Sequence, residues 1–343
     1  MKTPVTMRDV AAKAGVTPTV VSRVLHNKAT SVRVSDATAV RVREAAKELG
    51  YRVNVFARNF RERQTNMIGV LHGVNFARPH LSDGSRYFAL LMDGIIEGAF
   101  RHGYAVTLCP KLMGQTPEDA MSDGRFDGLI WYSTIPSEEN RQMLMGCTSP
   151  LVMVHSQSDE FVGRFPIVSC DNAHGIRQAV DHLVEIGHRR IAFARQGGLE
   201  FSESRLRADA FLHRMREIGL TTTPEDILDA GLYYDGIDPY LADGPRHTAV
   251  IAHNEGLGAE FVRRAPNHGI RIPEDLSVVG FDSTPFCDEL RPRLTSVSQP
   301  LKTIGEHAVE SLIARIQGDE SPVGQVNMPC GFDVRETTAP PQP

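Results

Sequence analysis

From Met67 to Ser283 the sequence repeatedly sets a short apolar run between amphipathic stretches, and this alternation restricts the fold more than any other feature. MIGVLHG, YAVTLCP, DGLIWYS and PLVMVHS form a first series of buried-strand patterns, with helical stretches such as Phe88 to His102 between them. RIAFARQ, AVIAHN and LSVVGFDS form a second series. Strands buried on both faces and separated by helices belong to parallel, doubly wound sheets. Two series predict two Rossmann-like lobes, with a ligand held outside the carboxyl ends of the strands, in the cleft between lobes. A composition of 41% hydrophobic and 23% charged residues can fill such cores. No apolar run approaches the roughly 18 residues of a membrane span, so no membrane partner is expected.

The first 64 residues follow a different pattern. They hold 13 Lys+Arg against 5 Asp+Glu, a net of +8, while the remainder holds 24 against 37, a net of −13. A basic end on an acidic body is the asymmetry expected when one end meets phosphate, although charge alone suits a solvated basic face equally well. Thr6 followed by Asp9 predicts a capped helix start, and Gly15 predicts its end at a tight turn. Thr17-Pro18 starts a second helix, with a hydroxyl cap and a proline where the missing N–H costs nothing. Val20, Val21, Val24 and Leu25 form its apolar stripe. Ser35-Asp36 caps a third helix that runs to about Leu49 and stops at Gly50. Two short helices around a glycine turn, closed by a third, make the three-helix DNA-binding arrangement.

The five cysteines, Cys109, Cys147, Cys170, Cys287 and Cys330, are widely spaced and form no CxxC pair. That favours reduced, buried thiols over a disulfide framework or a zinc site. The N-terminus lacks the apolar region of a signal peptide, which places the expected location in the cytoplasm.

The segments TMRDVAAKAGVTPTVVSRVLHNK, VRVSDAT and VREAAKELGYRVN resemble the headpiece of the LacI/GalR (lactose repressor) family. The resemblance implies a small all-α helix-turn-helix headpiece over residues 1–52, whose second helix enters the major groove of double-stranded DNA. It places Pro18, Thr19 and Arg23 at base-reading positions, and Thr17, Ser22 and Tyr51 at phosphate-contacting ones. Arg23 suits that role, because a guanidinium can bond guanine O6 and N7 together. Pro18 offers shape only, and His26-Asn27 stands where the family usually has Asn-Gly, so the operator sequence is left open. Residues 53–66 match the family's hinge, with Asn54, Ala57 and Arg58, then Phe60 at the leucine position. The resemblance implies that this segment forms a short helix on the operator and that Phe60 wedges a base step in the minor groove; packing on the core domain is its alternative.

The resemblance continues through DGLI, Asp171-Asn172, HLVEIGHRRIAF, IPEDLSVVGFD and RPRLTSVSQP. It implies an α/β two-lobed periplasmic-binding-protein-like core of two doubly wound parallel sheets. Residues 67–170 with 299–325 would form the N-terminal lobe, and 171–298 with 326–343 the C-terminal lobe. SRLRADAF places Arg207 in the cleft, with Ala210 replacing a glycine. Asn254-Glu255 stands where Asn-Asp is usual, Asp282 ends VVGFD, and Tyr87-Phe88 are the aromatics bordering the ligand. A carboxylate and a guanidinium fork can bond hydroxyls while an aromatic face covers a ring. Trp131 joins the candidates from its place at a strand end, with a core position equally open to it.

No GxSxG, HExxH, Walker A or GxGxxG motif is present, and the 13 histidines are scattered, so neither an enzyme, a metal nor a cofactor is expected. The expectation is a homodimeric transcription regulator, a repressor in the commoner case, bound to a pseudo-palindromic operator. Its small-molecule effector is first a sugar or derivative, second a purine or nucleoside. The rival is a ligand-binding protein or small-molecule enzyme that uses the same core without regulating DNA.

Overall fold

Thr6 sets the start of α1 (Met7–Ala14) by a reciprocal cap: its hydroxyl accepts from the Asp9 N–H at 3.4 Å, and the Asp9 carboxylate accepts from the Thr6 N–H at 2.8 Å. The helix ends at Gly15, whose φ of 66° lies in the left-handed region that a side chain disfavours. α2 (Pro18–His26) opens with proline at its first turn. α3 (Asp36–Leu49) is capped by Ser35 and closed by Gly50 at φ 65°. Val10, Ala11, Ala14, Val21, Val42, Ala45 and Ala46 make the small core these helices share. Of the stripe expected on α2, Val21 is fully buried, and Val20, Val24 and Leu25 are half-buried around it.

The computed structural model describes residues 5–26, 33–52, 64–72, 86–109, 121, 124–132, 138–156, 161, 163–196, 202–319, 321 and 324–342. Residues 1–65 form one unit and residues 66–343 another. Among the described residues no helix is long and apolar enough to cross a membrane.

The larger unit contains two six-stranded sheets. The first runs β2 (Ala105–Cys109), β1 (Met67–His72), β3 (Gly128–Tyr132), β4 (Leu151–Val154), β5 (Ile167–Cys170) and β11 (Gln325–Met328), all parallel. The second runs β7 (Ile227–Asp229), β6 (Ile191–Arg195), β8 (Ala249–Ala252), β9 (Ser277–Asp282), β10 (Thr295–Ser298) and β12 (Gly331–Asp333). Only the β10–β12 pair of that sheet is antiparallel. The strands are apolar because helices cover them: α4 (Tyr87–Arg101), α5 (Glu138–Gly146), α6 (Asn172–Glu185), α7 (Ser202–Glu217), α8 (Ile237–Ala242), α9 (Glu255–Arg264), α10 (Phe286–Glu289) and α11 (Leu301–Ile316).

The chain passes between sheets three times, after β5, after β10 and after β11. The last passage lies at 329–330, because Gln325–Met328 pairs with Ile167–Cys170 in the first sheet. The sequence reading put it at 325–326. α11 crosses back with the chain and packs on α4 so closely that a Cβ on Gly94 would lie 2.0 Å from the Lys302 carbonyl oxygen. That contact holds the start of α4, with Tyr87 and Phe88, over the end of the first sheet.

Candidate functional site

One cluster of buried polar side chains in the larger unit lies where the parallel strands end, as expected of a ligand site on doubly wound sheets. α7 contributes Arg207, which is 5% exposed. Its Nε donates to Asn172 Oδ1 at 2.8 Å, and its Nη1 donates to the His253 carbonyl. The guanidinium lies 3.9 Å from Asp282 and stacks over the Phe281 ring at 3.6 Å. Asp282 ends β9 with φ 108°, followed by Ser283 at φ 53°. Non-glycine residues rarely adopt such backbone, and instances of it cluster at functional sites. Asp282 also accepts from Gln299 Nε2 at 2.6 Å, just past the end of β10.

Glu203, one turn before Arg207 on α7, accepts from Asn172 Nδ2 and from Ser169 Oγ. Ser169 lies within 3.3 Å of His155 Nδ1, and His155 follows β4 at φ 50°. Four side-chain atoms in this cluster are buried with no hydrogen-bond partner among the described residues: His155 Nε2, Ser204 Oγ, His253 Nε2 and Gln299 Oε1. A buried polar atom left unpaired costs about 1–3 kcal/mol, so four in one place call for a ligand or water.

Burial and charge set the protonation states. Burial, helped by the nearby Arg207 charge, pushes both His155 and His253 down to about 3, so each imidazole is neutral. Burial raises Asp282 to about 6 against the pull of Arg207, and it raises Glu203 against Arg207, Asn172 and Ser169. Arg207 stays protonated, because the surrounding acids outweigh the desolvation that opposes its charge. The site can therefore offer a fixed guanidinium, carboxylates and two neutral imidazoles at once.

The aromatic candidates divide. Tyr87 is half-buried, with its ring centroid 5.8 Å from His155 and 6.2 Å from Tyr132. Burial, then the neighbouring Tyr132 and Asp282, raise its hydroxyl. Phe88 turns inward against Tyr132 at 5.3 Å and is 8% exposed. Trp131 is not brought to the cluster. Side chains alternate along β3, so Ile130 and Tyr132 face the large core shared with Val154 and Cys170, while Trp131 packs with Leu71, Leu144 and Met153 on the other face. Asn254 caps α9 by accepting from the Leu257 N–H at 2.8 Å. Glu255 is fully buried and both its oxygens are taken, by the Thr284 N–H at 2.8 Å and hydroxyl at 2.7 Å and by Cys287 Sγ at 3.3 Å. It fixes the loop after Asp282 and leaves the cluster to Arg207 and Asp282.

His155, Cys170, Glu203, His253 and Gln299 were not among the sequence candidates. The signal was present for three of them, since His155, His253 and Gln299 each directly follow a strand's last residue. His155, Cys170 and Glu203 also form a group with metal-ligand chemistry.

In the smaller unit Thr17, Pro18 and Thr19 are exposed at the start of α2, whereas Ser22, Arg23 and Tyr51 are half-buried. Asn54, Ala57, Arg58 and Phe60 lie outside the described residues.

Residues 6–54 match the model of the bacterial regulatory proteins, lacI family, and residues 180–338 match that of a periplasmic binding protein-like domain. The HTH-type transcriptional repressor CytR of Escherichia coli (strain K12) is 31% identical over 98% of this chain and 97% of its own. The lac repressor dimer, solved with operator and the anti-inducer ONPF, superposes with a TM-score of 0.78 at 24% identity, covering 98% of this chain and all of that one. The transcriptional regulator CelR in complex with cellobiose gives a TM-score of 0.70 at 27% identity over 97% of this chain and 99% of that one.

Proposed function

Because the chain belongs to the lacI family of bacterial regulatory proteins, DNA-binding transcriptional repressors with a ligand-binding domain, we propose that a small molecule held around Arg207 and Asp282 controls its operator binding. The observation that carries this reading is the set of four unpartnered buried polar atoms around that ion pair. A sugar or sugar derivative fits best. Its hydroxyls both donate and accept, so one ring can satisfy an imidazole, a hydroxyl and an amide oxygen while its apolar face lies on Tyr87. The cellobiose complex of CelR supports the same class. A purine or nucleoside is the second candidate, supported by the Tyr87, Tyr132 and His155 rings against which a base could stack.

Arg207 and Asp282 are nearly closed off from solvent, so the ligand enters when the lobes part and selects among lobe arrangements. In a homodimer that selection alters the two hinges, residues 53–66, and with them the fit to a pseudo-palindromic operator. In this reading Pro18, Thr19 and Arg23 read bases, and Thr17, Ser22 and Tyr51 hold phosphates. Asn54, Ala57, Arg58 and Phe60 act in the minor groove, with Phe60 as the wedge.

A gel shift with a palindromic site from the chain's own genomic neighbourhood, run with and without a panel of sugars and nucleosides, tests the proposal. One compound should change the operator affinity of the wild type and not of Arg207→Met. Failure to bind any DNA at low salt would leave the rival, a ligand-binding protein or enzyme on the same core, in its place.

A further inference from the structure

His155, Cys170 and Glu203 place an imidazole nitrogen, a thiol sulfur and a carboxylate oxygen within 4.8 Å of one another. From this juxtaposition, with His155 Nε2 buried and unpartnered, we propose that the three side chains bind a borderline-soft divalent cation of the Zn²⁺ class that bridges the two lobes. In a tetrahedral zinc site, bonds of about 2.0–2.3 Å put donor atoms roughly 3.3–3.8 Å apart. The group therefore needs a contraction of at most about 1.5 Å to close on a metal.

The charge inventory agrees. Arg207 is the one buried cation of the described cluster and is matched by Asp282. Glu203 is then a surplus carboxylate, held by the neutral donors Asn172 and Ser169. A divalent cation would neutralise that carboxylate together with the Cys170 thiolate, and the thiol proton would pass to solvent. Nitrogen, sulfur and oxygen together suit zinc better than magnesium or calcium, which take oxygen alone. The fourth position stays open to water or to a hydroxyl of a bound molecule.

The ligands come from both lobes. Cys170 ends β5 and His155 follows β4, both in the first sheet, whereas Glu203 stands on α7, which packs on α6 and β6 of the second lobe. A metal here would tie the lobes beside a crossover and hold one lobe arrangement. The proposal does not rest on the regulatory reading, because the metal is detected without DNA or effector.

The full-length chain, stripped of metal with EDTA, is titrated with Co²⁺ and then Zn²⁺. The expected result is a thiolate-to-Co²⁺ charge-transfer band that saturates at one equivalent, disappears on adding Zn²⁺, and accompanies a Zn²⁺-dependent rise in melting temperature. Cys170→Ser should abolish the band, while Cys147→Ser, in a separate apolar cluster, should keep it. His155→Asn and Glu203→Gln should weaken Zn²⁺ binding by more than about tenfold. Glu203→Gln is nearly isosteric, so it remains informative where Cys170→Ser loses its circular dichroism. A wild-type chain with neither band nor thermal shift, a band that survives Cys170→Ser, or Glu203→Gln binding as tightly as wild type would each overturn the proposal.

Discussion

At the scale of single residues, Arg207 and Glu255, both cleft candidates in the sequence, serve different ends. Arg207 stacks on Phe281, bonds Asn172 and pairs with Asp282. Replacing it with methionine keeps the bulk and leaves the buried Asp282 carboxyl without its cation. Removing one partner of a buried ion pair costs about 3–5 kcal/mol, less whatever Asp282 recovers by taking up a proton. Urea unfolding of Arg207→Met should show a loss of that order, and a loss below about 1 kcal/mol would mean that the pair is a surface-like contact. Glu255 predicts a pH effect. Burial, reinforced by Asp282, raises it to about 8 from an ordinary 4.5, against hydrogen bonds from Thr284 and Cys287. Between those values the folded chain holds a proton that the unfolded chain has lost, so stability falls as pH rises. The buried neutral His253 acts in the opposite sense, and only below about pH 6.5. Above pH 6.5 His253 no longer opposes the decline, and Glu203, which burial also raises, adds to it in the same sense. Glu255→Gln should then flatten the decline in part in a melting-temperature series. An unchanged slope in that variant would assign the decline to another group.

At the scale of elements, the long apolar strands and the capped helices were legible because burial on both faces and helix-end chemistry both leave local marks. β5, β7, β11 and β12 were harder. They have three or four residues, and Gln325–Met328 is mostly exposed and polar at a sheet edge, which is why the last passage between lobes was read three residues early. Trp131, for which a site position and a core position were equally open, was undecided for a related reason: a strand end specifies height along the sheet, and only the register specifies the face. The cleft pair Arg207 and Asp282 was legible from motif, whereas His155 and Glu203 depend on a meeting of segments 48 positions apart that no local pattern encodes. The α4–α11 contact supports a prediction of its own. Gly94→Ala forces a methyl against the Lys302 carbonyl, and overpacking of this kind costs about 1–3 kcal/mol. Calorimetry should find the larger unit less stable in this variant, and an unaltered melting temperature would show that the two helices separate freely.

At the scale of the whole molecule, the split into a +8 end and a −13 body makes DNA binding a property of the first 64 residues against the repulsion of the rest. Operator affinity should fall steeply with salt, with a log–log slope of about −0.9 for each phosphate neutralised. Fluorescence anisotropy of a labelled operator measures that slope. Arg23→Ala should relax preference at one base pair by roughly 1–3 kcal/mol, and a uniform loss at all positions would instead make Arg23 a phosphate contact. A last consequence follows from Trp131, the chain's one tryptophan. Its indole lies 2% exposed in an apolar layer, on the opposite face of its strand from Tyr132. The intrinsic emission of the protein should therefore be blue-shifted and nearly blind to whatever occupies the polar cluster. The same glow should redden when the first lobe melts, giving an optical gauge of that lobe alone while the second unfolds in the dark.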